Sequence, residues 1–125
     1  MGQNYFKPFD ERNRNTMITR NERKIDVYEN AGAYMRLFKT VGTKAVVAIS
    51  PVLHAKDTDR LLKALNTIDG ICSKADSNMF SDHINLGNEY VDVFYGDLAS
   101  EQRNDVDEKI ITMAKERAVE LFKRK

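Results

Sequence analysis

Residues 61 to 79 carry the pattern that most restricts the fold. Leu61, Leu65, Ile68, Cys72, Ala75 and Met79 recur at spacings of three and four, which places them on one helical face for more than four turns. Asp57 stands where an N-cap is wanted, its carboxylate able to accept from backbone N–H groups one turn on. Asp59 and Lys63 form a favourable i,i+4 pair on the same helix. Gly70 lies inside it and offers room for a close helix crossing.

The rest of the chain reads as more helix around this one. Ile25, Tyr28, Ala31, Met35 and Phe38 share a face over Glu22 to Lys39, with Gly42 as the stop signal. A wide apolar stripe of Ile110, Ile111, Ala114, Ala118, Leu121 and Phe122 marks a last helix from about Ser100 to Phe122. Acids crowd its start and Lys and Arg its end, the order that complements the helix dipole. Two segments are ambiguous. Lys44 to Leu53 is a short buried strand or a short buried helix, because periodicity cannot separate the two over so few β-branched residues. Ser81 to Tyr95 reads as a helix ended by Gly96, or as a strand over its aromatic and β-branched end. The two prolines, Pro8 and Pro51, and six glycines are too few for a turn-dense sandwich or barrel. The expectation is a mainly α fold, a four- to five-helix bundle over residues 25–125, preceded by an irregular basic arm over residues 1–24. The alternative is an α+β fold with a small sheet from residues 44–49 and 90–95.

At 125 residues the chain is one domain's length and can bury a single core. The longest apolar run, Ala45 to Ile49, is far too short to span a bilayer. The N-terminus has no continuous apolar stretch of the kind a secretory signal carries. A single cysteine, Cys72, forms no internal disulfide and fits a reducing cytoplasm.

The near-neutral total, 20 basic against 19 acidic residues, hides a segregation. From Asp57 to Glu108 there are twelve acids and four bases; elsewhere there are seven acids and sixteen bases. Such asymmetry points to partner surfaces. Arg12, Arg14, Arg20, Arg23 and Lys24 fall within thirteen positions, and arginine donors suit phosphate oxygens. A basic arm of this kind binds DNA or RNA backbones through counterion release, and Tyr5, Phe6 and Phe9 can stack on bases. Asp10, Glu11 and Glu22 dilute it. The acidic middle, residues 76–108, offers a second surface, with Glu89, Asp92, Asp97 and Glu101 as its candidate contacts for a basic protein.

Chemistry-bearing groups are sparse. His54 and His83 lack metal-ligand or triad spacing. His83, Glu89 and Asp92 do not share one helical face. Cys72 lies on the apolar stripe, where a free cysteine is usually filler. Asp57-Thr58-Asp59 is explained by capping, and the glycines are too dispersed for a phosphate loop. No catalytic residue, metal or cofactor is expected. The functional expectation is a small non-catalytic binding protein, an accessory subunit of a nucleic-acid-associated complex such as those of mobile elements. The alternative is a protein-binding adaptor or inhibitor that uses the acidic face. A homo-oligomer is open and a membrane partner is not expected. Both readings require the arginines and the central carboxylates to lie on separate parts of the folded exterior.

Overall fold

A computed structural model describes residues 17–99 and 101–123. Tyr5, Phe6, Phe9, Arg12 and Arg14, and the basic C-terminal pair Arg124 and Lys125, lie outside the described residues. Three α-helices, rather than four or five, make up the described fold: α1 (Ile25–Ile49), α2 (Ala55–Asp82) and α3 (Asp105–Glu120). Short 3-10 turns precede α1, join α1 to α2 and punctuate the connection from α2 to α3. No strand occurs among the described residues, and none of their helices is long and apolar enough to cross a membrane.

The helix count fell because two expected elements fused and one dissolved. Residues 44–49 are the last turns of α1, not a strand or a separate helix. Gly42 does not stop the helix. A Cβ there would come within 2.9 Å of the Leu65 side chain on α2, so the missing side chain lets the two helices approach. That contact offsets the roughly 1 kcal/mol intrinsic cost of a helical glycine. Gly70, expected at a crossing, has nothing near its Cβ position. α2 begins at Ala55 after His54, and Asp57 lies within its first turn, facing Arg60 at 3.4 Å rather than capping. Pro51 opens the connecting turn.

Residues 90–95 form neither an α-helix nor a strand; Tyr90 ends a 3-10 turn and residues 91–95 continue as turns. Three of their carbonyls are taken by side chains of α1. Arg36 donates from Nε to the Val93 carbonyl at 3.1 Å and from Nη2 to the Asp92 carbonyl at 2.5 Å, and Lys39 donates to the Phe94 carbonyl at 2.8 Å. Those acceptors are satisfied without a ladder partner. It can lie against α1 because residue 32 is glycine; a Cβ there would fall 2.6 Å from the Val93 carbonyl oxygen.

The core sits at one end of the molecule. Val93 and Phe94 pack there with Tyr28 and Ala33 of α1, Cys72 and Met79 of α2, and Ile110 and Ala114 of α3. Between residues 37 and 71 no residue is buried, so the far halves of α1 and α2 form a two-helix hairpin projecting from that core. Within the core lie charged groups. Arg36 Nη1 approaches Asp107 Oδ1 to 2.7 Å, with the two side chains 1% and 5% exposed. The approach is an ionic contact without hydrogen-bond alignment. Glu29, also buried, meets Lys109 at 2.8 Å. The buried face of α1 is therefore Tyr28, Glu29, Gly32, Ala33 and Arg36, rotated from the purely apolar face of the sequence pattern, and Phe38 is left exposed.

Removing Arg36 strands a buried carboxylate and two carbonyls. Arg36→Met is expected to destabilise the fold by about 3–5 kcal/mol in urea denaturation. The double variant Arg36→Met, Asp107→Leu is expected to recover part of the loss, because the orphaned charge is then gone.

Candidate docking surface

The basic segment meets the acidic middle at Asp82. This residue ends α2, where the helix dipole disfavours an anion, and cations gather on it. Arg23 reaches Asp82 through Nε at 2.6 Å and Nη2 at 3.0 Å, a two-point fork that suits a carboxylate. The Tyr28 hydroxyl donates to the same carboxylate, and Arg20 Nε lies 3.7 Å away. Arg20 also donates to the Ser81 carbonyl at 3.2 Å, helping to satisfy the end of α2. A 3-10 turn at Arg20–Glu22 brings these arginines round; Glu22 accepts from both the N–H and the hydroxyl of Thr19. The Arg23 and Tyr28 hydrogen bonds hold the Asp82 carboxyl far below the usual carboxylate range.

Of the five arginine and lysine positions expected to bind nucleic acid, Arg23 is thus committed to Asp82. Arg20 keeps a 65% exposed side chain beside the same carboxylate, and Lys24 is exposed just ahead of α1. Arg12 and Arg14 lie outside the described residues. Separation of the two charge blocks, which both functional readings require, fails at Asp82, where charges sorted along the chain meet in space; the exposed acids from Glu89 to Glu108 lie outside that contact.

The acidic middle divides into structural and displayed groups. Asp107 is structural. Its burial favours the neutral acid, but the Arg103 N–H at 3.0 Å and the Arg36 guanidinium outweigh that and hold its pKa below the usual value. Asp92 is bridged by Arg103 at 2.8 Å. Asn104 caps α3 by accepting from the Asp107 N–H at 2.8 Å, and Asp97 accepts from the Ala99 N–H at 3.1 Å. These bonds fix the approach to α3. Glu89, Asp97, Glu101, Asp105 and Glu108 stand exposed along it, and Arg103 is the one basic residue in the sequence between residues 84 and 108. Of the four expected contacts, Glu89, Asp97 and Glu101 are exposed; Asp92 is half-buried behind Arg103.

Asp76 opens the acidic middle but is half-buried on α2 rather than displayed. One of its oxygens is buried without a hydrogen-bond partner. Burial, and secondarily the Asp92 charge, push its pKa upward.

The remaining candidates have plain structural roles. His83 closes α2; its Nε2–H donates to the Arg23 carbonyl at 2.8 Å and its ring meets Tyr28 edge-on at 6.0 Å. A cleft of about 450 Å³ opens beside Asp82 and His83, lined by Ile25, Leu86 and Tyr90, and both polar groups already have partners. Cys72 is buried, and burial pushes its thiol pKa up, the opposite of an activated nucleophile. Among the described residues no three His, Cys, Asp or Glu side chains are grouped closely enough to hold a metal ion.

The two perturbed carboxylates predict opposite pH effects. Asp82 has a depressed folded pKa. Its stabilisation is complete above the unfolded value of about 3.9 and is lost as pH falls toward the folded one. Asp82→Asn should therefore lower the melting temperature at pH 7 and flatten its decline below about pH 4. Asp76 has a raised folded pKa, so its ionised form opposes folding at neutral pH. Asp76→Asn should raise the melting temperature at pH 7, with the gain shrinking toward about pH 4. Thermal melts at a series of pH values check both.

Compared with protein-family models, curated proteins and solved structures, the chain matches none.

Proposed function

We propose that this chain is a small non-catalytic binding protein, an adaptor or inhibitor that docks a basic protein surface on the acidic approach to α3. The observation that supports this reading is the set of exposed carboxylates from Glu89 to Glu108, carried on backbone fixed by the Asn104 cap and by the Arg36 and Arg103 contacts. A pre-ordered anionic face loses little freedom on binding, and its field speeds encounter with a cationic partner. The buried thiol of Cys72 suits a reducing, cytoplasmic setting.

An accessory role in a nucleic-acid complex is the second reading. The exposure of Arg20 and Lys24 favours it, while the Arg23–Asp82 fork weighs against it by neutralising one of the arm's cations locally.

Glu89→Lys, Glu101→Lys and Glu108→Lys together change only exposed positions, so helical content should be unchanged. The expected outcome is that the native chain captures a protein from source-cell extract with or without nuclease, and that the reversed variant loses it. Equal recovery by the two chains overturns the acidic-face reading. Nuclease-sensitive recovery, abolished by Arg12→Ala, Arg14→Ala and Arg20→Ala, establishes the second reading in its place.

A further inference from the structure

One face of α1 is apolar, exposed and unused by the acidic surface. Tyr34, Phe38, Val41, Ala45 and Ala48 follow one another at steps of four, three, four and three residues. All five are exposed, Tyr34 at 41%, Phe38 at 52% and Val41 at 58%. That 3-4 alternation is the seam of a coiled coil, and a helix shows it where another helix is to pack. α2 does not cover it; Gly42 and Leu65 mark the α1–α2 contact on a different side. α3 reaches only its beginning, where Leu121 borders a groove with Tyr34, Phe38 and Val41.

We infer that the occupant of this seam is a second copy of the chain, with the two α1 helices antiparallel and their hairpins forming a four-helix bundle. Size complementarity within the seam favours this occupant. Turned about a two-fold axis between Val41 and Ala45, the seam sets Phe38 against Ala48 of the other copy and Val41 against Ala45. Each large residue then faces a smaller one, the arrangement that lets facing layers interdigitate. A parallel pair in register would instead set Phe38 on Phe38 and leave the two alanine layers thin. The two-fold arrangement is isologous, using the same patch on both partners.

The available area also fits. Full burial of an aromatic side chain removes roughly 150–250 Å². On that scale the exposed portions of the seam, with Leu121 and Phe122 just past α3, amount to something on the order of 600 Å² per copy. This is the lower end of the per-partner share of a standard stable interface, about 600 Å². The hairpin, which buries no residue from 37 to 71, gains from the second copy the layer that α3 is too short to supply.

Sedimentation equilibrium of the full chain is the test. The native protein is expected at twice its 14.4 kDa mass in the micromolar range. Phe38→Glu and Val41→Glu should each weaken the pair by about tenfold or more, with circular dichroism unchanged because both positions are exposed. A native chain that remains monomeric at about 100 µM overturns the proposal, and so does a dimer that neither variant disturbs. Either result leaves the acidic-face reading standing, since that rests on other residues. Mild oxidation checks the register. Val41→Cys and Ala45→Cys chains should cross-link when mixed, with buried Cys72 uninvolved, while efficient self-cross-linking of each variant alone overturns the antiparallel arrangement.

Discussion

The Arg36 guanidinium organises this fold. It has one face toward Asp107 of α3 and two donors on the carbonyls of Asp92 and Val93. A single side chain thus joins α1, the turn run and α3. A buried charge is costly unless every lone pair around it is used. Here the requirement specifies geometry: α3 must present Asp107, and the turn run must present its carbonyls, at one position along α1. The cap on α3 follows from the same point, because Asp107 accepts the Arg103 N–H while its own N–H goes to Asn104.

Charge does its second piece of structural work at the end of α2. Asp82 draws in Arg23, Tyr28 and Arg20 and so ties the segment before α1 to the helix two elements later. The acidic middle of the sequence is therefore partly spent inside the molecule. What it leaves on the surface is narrower than the sequence block and lies mainly on the approach to α3.

The legibility of these features varied with the range of the signal. The α2 stripe was readable because Cys72 and Met79 obey a local 3-4 period and sit in the core as that period implies. The dominance of helix followed from the same periodicity and from scarce proline. The length of α1 was not readable, because Gly42 looks like a stop until Leu65 is seen against it. Residues 90–95 have strand composition, but the carbonyls of Asp92, Val93 and Phe94 are taken by side chains on α1 that no local pattern announces. Glu29 and Arg36 escape the sequence pattern for a related reason: hydropathy assigns charged residues to the exterior, and only distant Lys109 and Asp107 justify their burial. Arg36 does fall at a helical step from Tyr28 and Gly32, the one local hint available. At the candidate surface, exposure of Glu89, Asp97 and Glu101 matched the sequence block, whereas the Arg23–Asp82 contact did not, since charge order along a chain says nothing about where turns return it.

The projecting hairpin gives the single chain an uneven resistance to opening. Near Arg36, where the core is packed, amides are expected to exchange with solvent only when the whole core comes apart. Toward Ile49 and Ala55, where side chains have neighbours on one side only, helical turns open in smaller, cheaper units. In an isolated chain, deuterium uptake therefore rises along both helices toward Pro51, a gradient whose steepness records how much of the hairpin the core reaches.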